Sequence, residues 1–74
     1  MKTKNSTAYV YSKAFEEEII GKNTEQIEIL LDFRVESKSE EEYVYIISQN
    51  FFGIFKKRLH IYFYNGLVRD FFIG

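Results

Sequence analysis

Few side chains in this sequence can do chemistry. There is one histidine, His60, and no cysteine. Histidine exchanges a proton near neutral pH, so it is the first place to look for a general acid or base. Yet His60 sits between Arg58 and Tyr62 in an alternating segment, and neither Asp32 nor Asp70 stands with a serine at a spacing that suggests a Ser-His-Asp site. His60 is therefore read as a surface or interface residue. Lack of cysteine removes thiolate nucleophiles and disulfides, and a lone histidine leaves no closed zinc site. The glycines Gly21, Gly53, Gly66 and Gly74 are too scattered to form a phosphate-binding loop. Carboxylates are plentiful, but a chain of 74 residues has little room for a roofed pocket. The expectation is a protein without enzymatic activity, cofactor or metal.

Three charged groups invite a binding role. Lys56-Lys57-Arg58 resembles a small phosphate-contacting cluster, although cations at the start of a strand more often guard against edge aggregation. Glu40-Glu41-Glu42 reads as a solubilising loop beside a hydrophobic strand. With Glu16-Glu17-Glu18, Glu28, Asp32 and Glu36 it can also be drawn as an acidic stripe imitating a phosphate backbone, diluted by interspersed cations. Net charge is −1 at pH 7, made of −4 over residues 1–42 and +3 over residues 43–74. Two differently charged surfaces are expected. The segment from Asn50 to Phe55 has aromatics near Gly53 but lacks the full pattern of an RNA-recognition strand.

The elements that must position these groups begin with a hairpin. Asn65-Gly66 between alternating hydrophobic runs predicts a two-residue turn joining strands Lys57 to Tyr64 and Leu67 to Ile73. Such a turn sets Tyr64 opposite Leu67, and counting outward pairs Phe63 with Val68, Tyr62 with Arg69, Ile61 with Asp70, His60 with Phe71 and Leu59 with Phe72. One face is then aliphatic apart from Asp70, a carboxylate that must find solvent or a partner. The other alternates cations and aromatics: Arg58, His60, Tyr62, Tyr64, Arg69 and Phe71, extended by Tyr43 and Tyr45 if the sheet is a single layer. Those six are the candidate partner-binding residues.

Upstream, Glu25 to Glu36 alternates and predicts a strand, followed by a loop from Ser37 to Glu42 and a strand from Tyr43 to Ser48. Val35 then faces Val44, and Phe33 faces Ile46. A turn is expected over Asn50 to Gly53. Ser12 is placed to cap a helix from Lys13 to Ile20, with Phe15 and Ile19 four apart and Gly21 beyond its end. The competing assignment makes Ala8 to Phe15 a strand, since Tyr9, Val10 and Tyr11 favour sheets. The resulting fold class is α+β, a short N-terminal helix on a four-stranded antiparallel meander, with an all-β five-stranded barrel as the alternative.

A chain this short is expected to form one domain. Residues 1–7 are polar and no apolar run approaches the roughly 18 residues of a membrane span, so a cytoplasmic protein without membrane contact is the default. Phe, Tyr, Met, Ile, Asn and Lys make up 35 residues against nine of Gly, Ala, Arg and Pro, as in an AT-rich genome such as that of a low-GC bacterium, its phages or plasmids. One short helix covers only one side of a sheet. The aromatic side must curl into a barrel, pack on another protein or a second copy, or stack nucleic-acid bases. The preferred expectation is a small regulatory or inhibitory module that binds a protein partner through this face or an exposed strand edge, as a homodimer. Nucleic-acid binding on the same face and a structural assembly role are the alternatives.

Overall fold

The computed structural model describes residues 7–50 and 55–74. Short helices α1 (Thr7–Val10), α2 (Lys13–Ile19) and α3 (Thr24–Leu30) precede strands β1 (Arg34–Lys38), β2 (Glu42–Asn50), β3 (Phe55–Tyr64) and β4 (Leu67–Ile73). The helix expected at Lys13 is present, and its ends are set by the residues that suggested it. Ser12 Oγ accepts a hydrogen bond from the Phe15 N–H at 3.3 Å. Gly21 follows the last turn with φ +87°, a conformation that glycine adopts without steric cost. Residues 8–15 form no strand, because the helical path brings Val10, Phe15 and Ile19 to the core together.

The strand expected from Glu25 is a correction: Thr24–Leu30 is helical, and the strand begins only at Arg34. A reciprocal cap starts α3, with Asn23 Oδ1 accepting from the Gln26 N–H and Gln26 Oε1 accepting from the Asn23 N–H, each at 2.9 Å. Burial decides the periodicity. Ile27 and Leu31, four apart, are in the core, whereas Ile29, which strict alternation places beside them, is 86% exposed.

The strands form one open antiparallel sheet in the order β1-β2-β3-β4, so the five-stranded barrel does not occur. Asn65 and Gly66 turn the chain with φ +54° and +81°, the left-handed pair that a two-residue hairpin requires. At the β1–β2 connection the Ser39 N–H donates to the Glu42 carbonyl at 2.8 Å, and Ser39 Oγ accepts from the Glu42 N–H at 3.0 Å. That loop is shorter than the expected Ser37 to Glu42, and a bulge at Glu36 shifts the pairing, so Val35 meets Tyr45 and Arg34 meets Ile46. Of the turn expected over Asn50 to Gly53, Asn50 ends β2 and the remaining residues lie outside the described ones.

The core fills the space between helices and sheet. Val10, Phe15, Ile19, Ile27 and Leu31 meet Tyr43, Tyr45, Ile47, Leu59, Ile61, Phe63 and Val68. Phe15 is central, edge-on to Tyr9 and to Phe71 with ring centroids 5.2 Å from each. The connection between α2 and α3 is laced to β4: the Gly21 N–H donates to the Val68 carbonyl at 2.9 Å, and the Val68 N–H donates to the Lys22 carbonyl at 2.8 Å. Glu28 joins α3 to the sheet by accepting from Lys38 Nζ and from the Tyr43 hydroxyl, both at 3.0 Å. Lys38 holds the Glu28 carboxyl below the usual glutamate range.

Candidate functional site

The helices cover one side of the sheet and leave the other open, and the side chains that β4 gives to that open face depend on one extra residue. From the turn, Tyr64 meets Leu67 and Phe63 meets Val68, as expected. The next pair is Tyr62 with Asp70, because Arg69 bulges out of the ladder. Every later pair is displaced by one: Ile61 meets Phe71, His60 meets Phe72, and Leu59 meets Ile73.

Two sequence assignments are corrected by this bulge. Asp70, expected among the aliphatics, stands on the open face and is exposed, with Oδ1 accepting from the Phe71 N–H at 2.8 Å. Phe71, assigned to the partner-binding face, turns inward and packs on Phe15, while Phe72 takes its place outside. Without the shift a carboxylate would enter the core and two large apolar side chains would leave it, so burial energy selects the bulged register.

Tyr43 and Tyr45 do not extend the open face either, because their partners Ile61 and Leu59 place them in the core. Their neighbours Val44 and Ile46 lie on the open side beside His60 and Arg58, but the side chains around them cover them, and both are buried. On the same face stand Tyr62, Tyr64, Leu67 and Phe72, with Tyr64 61% and Phe72 59% exposed. The His60 ring stacks 6.4 Å from Tyr62 and lies 6.1 Å from Phe72. The Arg69 guanidinium lies 5.3 Å from the centre of the Tyr64 ring, a cation–π contact.

Of the six residues proposed from sequence, Arg58, His60, Tyr62, Tyr64 and Arg69 are gathered on one surface and Phe71 is not. Sequence reasoning paired Leu67 with Tyr64 on this face correctly, missed Val44, Ile46 and Phe72, and missed the carboxylates that accompany the cations. Glu36 receives Arg58 through both oxygens, the Nη2 contact being 3.1 Å, and Glu42 Oε2 lies 2.8 Å from His60 Nδ1. Arg58 holds Glu36 below the usual carboxylate range and is itself raised by it. By register and contact, Arg34, Lys56, Arg58 and Arg69 share this face with Glu36, Glu42 and Asp70, a balance of +1. The face is aromatic but close to neutral. The mispairing of Asp70 in the unbulged register was the one sequence signal that pointed to the shift.

The strand edges offer less. β1 is five residues long, exposed and bulged, which discourages pairing. β4 is laced to Gly21 and Lys22 at Val68, and Asp70 occupies the outward N–H of Phe71. Among the described residues no group of His, Asp and Glu is placed to hold a metal ion, and no helix is long and apolar enough to cross a membrane. Compared with family models, curated proteins and solved structures, the chain matches none.

Proposed function

We propose that this chain is a small non-enzymatic regulatory or inhibitory module that binds a protein partner through the open face of its sheet, as a homo-oligomer. The observation that carries this reading is the group of exposed apolar side chains on that face, Tyr62, Tyr64, Leu67 and Phe72. Tyrosine, phenylalanine and arginine are the side chains enriched where protein interfaces are fully buried. The ions on the face support the same ligand class. Arg58 already has the Glu36 carboxylate as its partner, so covering it leaves fewer uncompensated charges than burial of an isolated cation would.

Nucleic-acid binding draws less support, because Glu36, Glu42 and Asp70 stand among the cations that phosphates would need. The edges, partly occupied, also draw less support than the face. The test is capture by immobilised chain. Tyr62→Ala and Arg69→Glu are expected to abolish retention of bound protein while the circular dichroism of the folded domain is unchanged. Retention by both variants at the wild-type level removes the face from consideration, and salt-sensitive retardation of single-stranded oligonucleotides would put nucleic acid in its place.

A further inference from the structure

We propose that the hairpin turn Asn65-Gly66 is a site of spontaneous covalent modification, at which the folded chain loses the Asn65 side-chain amide as ammonia and keeps an aspartyl or isoaspartyl residue in its place. The inference stands apart from the protein-binding role proposed above. Access to the turn carries it.

Asparagine is among the thermally labile residues, because its carboxamide lies within reach of the next backbone nitrogen. Such an attack within one chain gains from proximity, and screening of the nitrogen or restraint of the carboxamide is what slows it. Neither operates at Asn65-Gly66. Gly66 has no β-carbon, and apart from its chain neighbours nothing comes within 4 Å of the point where one would sit. Among the described residues, neither the Gly66 N–H nor the Asn65 carboxamide has a hydrogen-bond partner. Both residues are exposed. Asn23 provides the contrast within the same chain. It precedes the β-branched Thr24, and its Oδ1 accepts from the Gln26 N–H at 2.9 Å in the cap of α3.

Hydroxide removes the Gly66 amide proton, and the nitrogen attacks Asn65 Cγ. A bond forms between Gly66 N and Cγ, the bond from Cγ to Nδ2 breaks, and Nδ2 leaves as ammonia with a proton taken from water. The cyclic succinimide that results is opened by a second water, without any oxidant or reductant. Attack at Cγ leaves aspartate, whereas attack at the main-chain carbonyl leaves isoaspartate, whose chain runs on through Cγ. Aspartate keeps the turn, since Asp-Gly adopts the same left-handed pair. Isoaspartate inserts an extra backbone atom between Tyr64 and Leu67, the pair from which the register of β4 is counted. Either product lowers the net charge from −1 by one unit and sets a carboxylate at the hollow that Glu40 and Glu41 also line.

Incubation of the folded chain at mildly alkaline pH, followed by peptide mapping with mass spectrometry, tests the proposal. The peptide carrying Asn65 should gain the mass difference between an amide and an acid, in two chromatographically separate forms and faster as pH rises. The peptide carrying Asn23 should stay unchanged. Asn65→Gly retains a turn-forming Gly-Gly pair without a carboxamide, and should abolish the conversion while circular dichroism is unchanged. The isoaspartyl fraction should unfold at a lower temperature than Asn65→Asp, which carries the same charge on an unaltered backbone. A parallel incubation in guanidinium chloride supplies the unfolded reference. A folded chain that keeps Asn65 intact until the unfolded chain has converted fully overturns the proposal, because the turn then protects the carboxamide. Conversion of Asn23 ahead of Asn65 overturns it as well. Equal unfolding temperatures for the isoaspartyl fraction and Asn65→Asp would overturn its effect on the turn.

Discussion

Replacing Tyr45 by phenylalanine should make this protein more stable. Tyr45 is 1% exposed, and its hydroxyl is buried without a hydrogen-bond partner among the described residues. A buried polar group left unpaired costs about 1–3 kcal/mol, while the ring of phenylalanine keeps the same contacts with Leu59 and Tyr43. Allowing for the small void left by the missing oxygen, the expected gain is about 1 kcal/mol, or about 4–8 °C in Tm for a domain of this size. A second signature lies in the alkaline range. Burial, followed by the charge of Glu28 and by Tyr43, pushes the Tyr45 hydroxyl from 10.0 up to about 12. The folded chain keeps this proton after the unfolded chain has released it, so stability falls as pH rises through that window. Tyr45→Phe lacks this loss, and the gap between variant and wild type should widen above pH 10. Tyr9, whose hydroxyl is raised mainly by burial and then by its bond to Glu18, contributes an alkaline loss common to both proteins. Urea denaturation followed by circular dichroism at pH 7 and at several values above 10 measures both effects, with an unchanged denaturant slope as the control. A variant equal to or weaker than wild type at pH 7, or a gap that narrows with rising pH, would refute the reasoning.

The bulge at Arg69 predicts opposite fates for adjacent phenylalanines. Phe71→Ala should cost about 2–3 kcal/mol because the ring packs on Phe15, and Phe72→Ala should stay within about 0.5 kcal/mol when unfolding is measured at low micromolar concentration. The reverse order would restore the unbulged register. Removing the cap of α3 with Asn23→Ala should destabilise by about 1 kcal/mol, since Asn23 Oδ1 alone accepts from the Gln26 N–H there; thermal unfolding shows whether it does. The Glu36 carboxyl should titrate below 4.5 in NMR-monitored acidification and return toward that value in Arg58→Gln. Its stabilising effect is then present at neutral pH and lost as pH falls below 4.5, and an unchanged Glu36 titration in the variant would show that the pair does not form in solution.

Local chemistry was legible in the amino-acid sequence wherever neighbouring residues settle the conformation between themselves. Asn65-Gly66 specified its turn, Ser12 and Gly21 specified the two ends of α2, and Leu67 to Ile73 specified β4. The α+β class and the four-stranded meander followed from these. The sequence also contained the Asn23 and Gln26 cap of α3, but alternation from Ile27 to Val35 hid it, because a short apolar run fits period 2 and period 3.6 nearly equally. Only the core chose between them, by burying Ile27 and Leu31 and leaving Ile29 in solvent.

The bulges at Glu36 and Arg69 belong to the same class of decision. Neither has a local cause that a sequence displays. Arg69 leaves the ladder because Phe71 and Ile73 gain contact with Phe15 and its neighbours while Asp70 keeps water, a balance that exists only once the helices lie on the sheet. A two-residue side-chain period makes each such step reverse a face. The sequence by itself therefore determined the hairpin and the residue types that would cross it. Tertiary packing decided which of those residues form the open face, replacing Phe71 with Phe72 and pairing Arg58 and His60 with Glu36 and Glu42.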